Sequence, residues 1–558
     1  MAGYPTTQQL RDMFTGYFRD RGHLLMPSAP LVLNDPTTLF TSAGMQPYIA
    51  AFRGEEEPPA PRVVSIQKCA RTGDLEHVGY YNRYHTFFEM LGNFSFGDYF
   101  KKEAIEWAWE FVTAPAFLGL DPADLWITIF ETDDEAFDLW HSHIGVPAER
   151  IQRFGRKENW WPQTRWEGPC GPCSEIHIDL GPHLGCGKPD CRVNCDCQRY
   201  LELWNLVFQM YTEAEDGTLT PLPSPGVDTG MGLERLALVK QNKRFTMETD
   251  ELWRILQATQ SEVNAQRSQP LAYGDDEEAD AALRVVAEHV RAAAFMMADG
   301  AVPSNEGAGY VLRRLLRRAL RFARSLEAEQ PFLYRVLPTV TEVMGQAYPE
   351  LADREEFAVA LTRSEEERFT ATLSQGMARF EEIAEHLVGR GDTVVPGRDA
   401  FVLYDTYGFP LELTIEMAAE RGLQVDRDGF EAAMADQRAR SSTGPRGLAL
   451  HTNATIAASL PRTDFLGYGA LEGEGEVLAI VRAGERINMA ECGEEVTVVL
   501  DRTPFYAESG GQVGDRGEIE GPEGSFEVTD TQPLGEAHAH VGKVVHGRIS
   551  VGQKVLAR

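Results

Sequence analysis

The chain has 558 residues, 43% of them hydrophobic and 25% charged, an ordinary globular composition large enough for more than one domain. Eighty-five acidic against 53 basic side chains leave a formal charge of −32. That excludes a protein that coats nucleic acid indiscriminately, which needs broad positive charge, but it permits a local basic patch.

The first residues, MAGYPTTQQLRDMFTGYFRD, carry no basic lead into an apolar run, and no window reaches the roughly 18 apolar residues of a membrane span. A cytoplasmic protein with no membrane partner is expected. Over 1–240 the segments VVSIQKCA, HTFFEMLGNFSF, LWITIF, SEIHIDL and ELWNLVFQMY read as strands, with LRDMFTGYF and KKEAIEWAWEFV as helices. Helical periodicity prevails from 241 to about 450, through DAALRVVAEHVRAAAFMMADG and RFTATLSQGMARFEEIAEHLVGRG. From 451 to 558, past SSTGPRG, alternating segments such as GEVLAIVRAG and EEVTVVLDRT between Gly-rich turns predict a small β-barrel. The whole reads as an α+β chain of three domains: 1–240, 241–450 and 451–558.

Four features carry chemistry. IQKCARTGDLEHVGYYNRYHTFFEMLGNFSFGDYF (66–100) predicts two paired strands with Arg71 at the end of the first and Phe87, Phe88, Glu89 and Met90 on the return. Such a pair can offer an arginine to a phosphate and an aromatic face to a base, though taken alone such an arginine is more often a surface residue and such phenylalanines more often core. PSPGVDTGMGLERLALV (223–239) predicts a Gly-rich turn leading into a helix. Gly230 and Gly232 would let a ligand approach the backbone, Asp228 could accept from an ammonium or simply cap the helix, and Arg235 could meet phosphate oxygens.

Third, YVLRRLLRRALRFAR (310–324) holds six arginines and no acid. On an ideal helix Arg313, Arg314, Arg317, Arg318, Arg321 and Arg324 fall within roughly 140°, a guanidinium face suited to an anionic partner. Fourth, six of eight cysteines crowd into 170–197 as C-x2-C-x12-C-x4-C-x3-C-x-C. In a large cytosolic chain this favours metal or site chemistry over a disulfide framework: Cys186, Cys191, Cys195 and Cys197 could form a zinc-binding set or stay as reduced loop thiols, and Cys170 and Cys173 either shape a pocket or join as ligands. Cys69 and Cys492 are expected to pack.

With HTFFEMLGNFSFGDYF, GPCGPCSE, ELWNLVF, DTGMGLER, PSNEGAGYVLRRLLRRA, LYDTYGFP and DRTPFYAESGGQVGD together, the chain resembles the bacterial alanyl-tRNA synthetases, which are class II aminoacyl-tRNA synthetases, over nearly its whole length. The resemblance implies a catalytic domain on an antiparallel sheet flanked by helices, a helical tRNA-recognition domain, and a β-barrel. It implies an ATP-dependent alanine ligase: alanyl-adenylate forms with Mg²⁺, then alanine passes to the 3′ end of the tRNA.

By position, the resemblance makes Arg71 the α-phosphate arginine and Arg235 the γ-phosphate arginine, the two catalytic cations, with His85, Phe88 and Met90 completing the ATP site. Trp161, Asn205, Asp228 and Gly230 would hold alanine. Asn305, Arg313, Arg314, Arg317, Arg318 and Asp405 would face the acceptor stem, Asn305 and Asp405 reading a G·U pair. Two departures stand out. The loop from Arg71 to Asp74 is short for the family, and the zinc ligands of its editing domain are missing, since His538 and His540 are too close together to supply them. An N-terminal fragment, monomeric and without editing or oligomerisation regions, is expected. A synthetase-derived tRNA-binding protein and an editing hydrolase are the competing readings. An aspartic protease is excluded because DTG occurs once.

Overall fold

The computed structural model describes residues 4–33, 38–73, 75–162, 168–443, 460–467, 470–482, 485–507, 514–534 and 537–558. Asp74, the 444–447 stretch and the glycines near 510 lie outside the described residues. The chain divides into two compact units, 1–302 with 311–370, and 303–310 with 371–558.

The first unit is built on a nine-stranded sheet: β1 (Leu24–Met26), β2 (Arg62–Ala70), β3 (Phe87–Phe96), β4 (Leu125–Phe130), β5 (Ile151–Phe154), β6 (Trp160–Trp161), β7 (Gly168–Asp179), β8 (Tyr200–Glu213) and β9 (Leu219–Gly232). Its order is β1-β2-β3-β9-β8-β7-β4-β5, with β6 on β7. The six central strands are antiparallel and only β1 and β5 join in parallel. An antiparallel sheet can keep one face packed and leave the other free for a ligand. Here Phe14, Ile105, Phe111, Trp204, Phe208 and Leu236 belong to the buried cluster on the packed face. The helices Thr7–Arg19 and Lys101–Thr113 form where periodicity predicts them.

One expectation is corrected. The Gly-rich stretch before GLER is a strand, β9, and the helix begins only at Leu233. Its glycines serve close packing: a Cβ on Gly226 would come within 2.5 Å of Ser95 O, and one on Gly230 within 2.9 Å of Met90 Sδ. Asp228 therefore lies in a strand, four residues ahead of the Gly232 cap, and cannot be the cap itself.

The helices Asp250–Asn264, Glu277–Ala298 and Leu333–Met344 also belong to this unit. In the second unit, Gly473–Arg482, Glu495–Leu500, Ala537–Ser550, Gly524–Leu534, Gly517–Gly521 and Lys554–Ala557 pair antiparallel in that order. The last strand returns to the first, closing a six-stranded barrel around Val477, Val498, Phe526 and Ile549. His540 is buried there, its ring held between Val498 O at 2.9 Å and Thr503 Oγ1 at 2.8 Å, a packing role. Cys69 packs as expected, but Cys492 is exposed at the end of a short edge strand. No helix among the described residues is long and apolar enough to cross a membrane.

Candidate functional site

The free face of the sheet carries a cavity of about 680 Å³. All nine residues expected at the nucleotide and the amino acid line it: Arg71, His85, Phe88, Met90, Trp161, Asn205, Asp228, Gly230 and Arg235. Strand periodicity explains how. On β3, Phe88 and Met90 share the cavity face, while Phe87 and Glu89 point into the interior, Phe87 stacking on Phe295 with ring centroids 3.9 Å apart and Glu89 pairing with Arg11 at 2.6 Å. The β8–β9 register sets Asn205 opposite Gly230 and Val207 opposite Asp228, so Asn205 and Asp228 are diagonal neighbours on one face.

Arg71 follows β2 directly. Its backbone N–H donates to Thr86 O at 2.9 Å, its Nε to Ser42 O at 3.1 Å, and its guanidinium lies over the Phe88 ring. Arg235, two residues into its helix, donates through Nη1 to Glu202 O at 3.1 Å and to the Glu202 carboxylate at 3.2 Å, and through Nη2 to Arg83 O at 3.3 Å. Two arginines thus line the cavity, and both act on the Glu202 carboxylate. His85 has both ring nitrogens buried without a hydrogen-bond partner among the described residues, and burial pushes its pKa down to about 3, so a neutral imidazole faces the cavity.

Asp228 is 5% exposed and has no ion pair among the described residues; burial pushes its carboxyl up to about 7. A buried carboxylate with no counter-charge is costly, and a bound cation would remove that cost. Glu175, His177 and Glu202 also line the cavity and were missed in the sequence. The signal was there: in SEIHID, Glu175 and His177 alternate with Ile176 and Ile178. Glu175 accepts from Thr128 Oγ1 at 3.0 Å and from Asn205 Nδ2 at 3.1 Å, with His177 Nε2 at 3.0 Å. Burial, reinforced by the charge of Glu202, raises its pKa; Glu202 is held low because Arg235, His177 and Arg71 outweigh its own desolvation. Two neighbouring carboxylates on the cavity wall suit a hard divalent cation.

The cysteine cluster adjoins this cavity, for Asn194, Cys195 and Asp196 line its wall. The Sγ atoms of Cys186, Cys191, Cys195 and Cys197 lie within 4.8 Å of one another, with Cys186–Cys195 at 3.6 Å and Cys191–Cys197 at 3.7 Å. A tetrahedral zinc with Zn–S bonds of 2.3 Å requires sulfur separations of about 3.8 Å, so the four thiols fit the metal. Cys170 and Cys173 are outside this set: both are buried in β7, and neither lines the cavity.

The guanidinium face is corrected. The helix Gly307–Ser325 forms, but Arg313, Arg317 and Arg318 are only 4%, 9% and 2% exposed. Arg313 and Arg317 pair with buried Glu365 at 3.4 and 2.6 Å, and Arg318 donates to His289 at 2.8 Å. The acids that balance this face come from elsewhere in the chain, which helical periodicity cannot register. Arg324 pairs with Glu329 at 3.1 Å, whereas Arg314 is half-buried and has no ion pair among the described residues.

In the second unit Asn305 and Asp405 are both exposed. Asp405 stands in the last turn of the helix Gly397–Tyr407 and accepts from Gln437 Nε2 at 2.5 Å. An acid at a helix C-terminus opposes the helix dipole, so its position there is not explained by helix stability.

The model of the family described as tRNA synthetases class II (A) matches residues 9–558. The chain is 50% identical over 561 residues to the alanine--tRNA ligase of Pelotomaculum thermopropionicum, covering 99% of this chain and 63% of that protein. It is 48% identical over 554 residues to the alanine--tRNA ligase of Carboxydothermus hydrogenoformans, covering 98% and 62%. It is 47% identical over 561 residues to that of Acidithiobacillus ferridurans, covering 99% and 62%. It therefore spans somewhat under two thirds of the length of these relatives. With a six-stranded antiparallel core, an arginine at the end of β2 and a second arginine in the helix after β9, the chain belongs to the class II (A) family of tRNA synthetases.

Proposed function

We propose that the chain is the aminoacylating part of an alanine--tRNA ligase. ATP occupies the cavity with its adenine against Phe88, Met90 and neutral His85, its α-phosphate beside Arg71 and its γ-phosphate toward Arg235. Alanine lies between Trp161 and Asn205 with its ammonium on Asp228, in the space over Gly230. An alanine carboxylate oxygen attacks the α-phosphorus; the bond to the bridging oxygen breaks, pyrophosphate leaves, and alanyl-adenylate remains. The protein supplies no nucleophile. It aligns two anions that would otherwise repel and stabilises charge on the phosphoryl oxygens with fixed guanidiniums. A Mg²⁺ ion bound with the nucleotide, held by Glu202 and Glu175, would neutralise phosphate charge further. A hydroxyl of the terminal adenosine of the tRNA then attacks the activated carbonyl, and AMP leaves.

The carrying observation is Asp228, a buried carboxylate with no ion-pair partner among the described residues, in a cavity that Arg71 and Arg235 also line. It matches the opposed charges of an amino acid and a nucleotide joined head to head. Zinc on the four cysteines would brace the cavity wall, and no step of the reaction passes through it. Asn305 and Asp405 are the readers of the acceptor-stem G·U pair, and Arg314 is the member of its helix left to meet backbone phosphate. Alanine-dependent exchange of labelled pyrophosphate into ATP, without tRNA, tests the reading. A tRNA-binding protein or an editing hydrolase would show none.

A further inference from the structure

The inward arginines of the 307–325 helix raise the question of what they hold in place. Arg318 Nη1 lies 2.8 Å from His289 Nε2. A guanidinium has no acceptor, so Nε2 must accept, which assigns the ring proton to Nδ1. That Nδ1–H donates to Glu288 Oε2 at 2.7 Å. Glu288 also accepts from Thr86 N at 2.7 Å, Thr86 Oγ1 at 3.1 Å and Phe87 N at 3.2 Å. Thr86 O in turn accepts from the backbone N–H of Arg71 at 2.9 Å. Arg318, His289, Glu288 and Thr86 are all buried, and the Glu288 carboxylate stands 4.0 Å from His85 Nδ1. Four donors thus converge on one carboxylate, directly behind the strand end that carries the cavity residues.

We infer that Arg318, His289 and Glu288 form a buried relay that positions Arg71 and His85 for the nucleotide, making His289 and Glu288 positioning residues of the activation step. The relay explains why Arg318 of that helix turns inward. It clamps the start of β3 from behind, and its effect falls on the nucleotide because Arg71 hangs from Thr86 by one backbone hydrogen bond. Asp228 and Asn205 stand on β9 and β8, one and two strands from β3; Asp228 lies opposite Phe94, at the far end of β3 from the clamped Thr86 and Phe87, and no hydrogen bond among the described residues joins either side chain to the relay. The inference rests on the ligase reading above.

The test measures KM for ATP and KM for alanine separately in pyrophosphate exchange by the whole chain without tRNA. His289→Gln offers an amide near Nε2 and removes the donor to Glu288; His289→Asn keeps a donor near Nδ1. His289→Gln is expected to raise the KM for ATP about tenfold with the KM for alanine within about threefold, and His289→Asn to recover most of the loss. Thr86→Val deletes one donor from the strand side and is expected to act in the same direction. Equal rises in both KM values, or an unchanged KM for ATP in folded His289→Gln, overturn the relay. Should His289→Gln fail to fold, Thr86→Val decides by the same criterion. No exchange by the unsubstituted chain would instead refute the ligase reading, and calorimetric ATP binding by the same variants would then decide the relay.

Discussion

The guanidinium of Arg71 lies over the ring of Phe88, 5.1 Å from its centroid, with Phe88 on β3 paired opposite Cys69 near the end of β2. One hairpin thus carries both the proposed phosphate ligand and the proposed base platform, held mutually by a cation–π contact. Arg71→Ala is expected to lower kcat/KM for pyrophosphate exchange by about 10²–10³, the typical cost of one preorganised donor, and Arg71→Lys to recover only part of it. Steady-state exchange kinetics decide this; an Arg71→Ala chain at full activity would refute the assignment.

Asp228→Asn should raise the KM for alanine by about a hundredfold, because the ammonium loses its buried counter-charge. It should also stabilise the ligand-free chain at alkaline pH. The folded carboxyl ionises near 7 and an unfolded aspartate near 4, so between these values the folded state holds the extra proton and stability falls as pH rises. The penalty reaches at most about 4 kcal/mol above pH 7 and vanishes below pH 4. Thermal melts at pH 4 and pH 8 should show the variant gaining only at pH 8. For the unsubstituted chain, the KM for alanine should fall as pH rises through 7.

The cysteine cluster should hold about one zinc per chain, and Cys195→Ser should lose it. Elemental analysis of the purified protein reads this directly. As Cys195 also lines the cavity, a several-fold rise in the KM for ATP is expected alongside metal loss, and a metal-free chain with native metal-site proteolysis would contradict a structural zinc.

Asn305→Ala and Asp405→Ala should each erase about 1–3 kcal/mol of the preference for an acceptor stem with G·U over the same stem with G·C, leaving pyrophosphate exchange unaltered. Charging assays on the two short RNAs report the ratio. Arg314→Ala should weaken charging of both stems alike and reduce its salt dependence, as expected of a phosphate contact.

Much was legible from residues alone. Aromatic and β-branched runs between turns marked β2, β3, β4, β7 and β8, and the motifs around Arg71, Asp228 and Arg235 named residues that the fold does bring to one cavity. β9 was not legible, because a strand rich in glycine and proline looks like a turn until its neighbours are known; its glycines answer to Ser95, Phe52 and Met90 from distant parts of the chain. Alternation in SEIHID puts Glu175 and His177 on one face, but their meeting with Asn205 and Glu202 across the β7–β8 pair is set by register, which the sequence does not show.

The sequence by itself therefore determined most of the elements and the family, and it named nine residues that line the cleft, because these depend on local periodicity and on short runs of residues. Tertiary structure alone decided which charges face inward. Arg313, Arg317 and Arg318 have a helical spacing that suits a solvent face, yet Glu365 and His289 take them into the interior. A charge is buried or exposed according to whether a partner reaches it, and those partners come from segments dozens of residues away, beyond what any local pattern can encode.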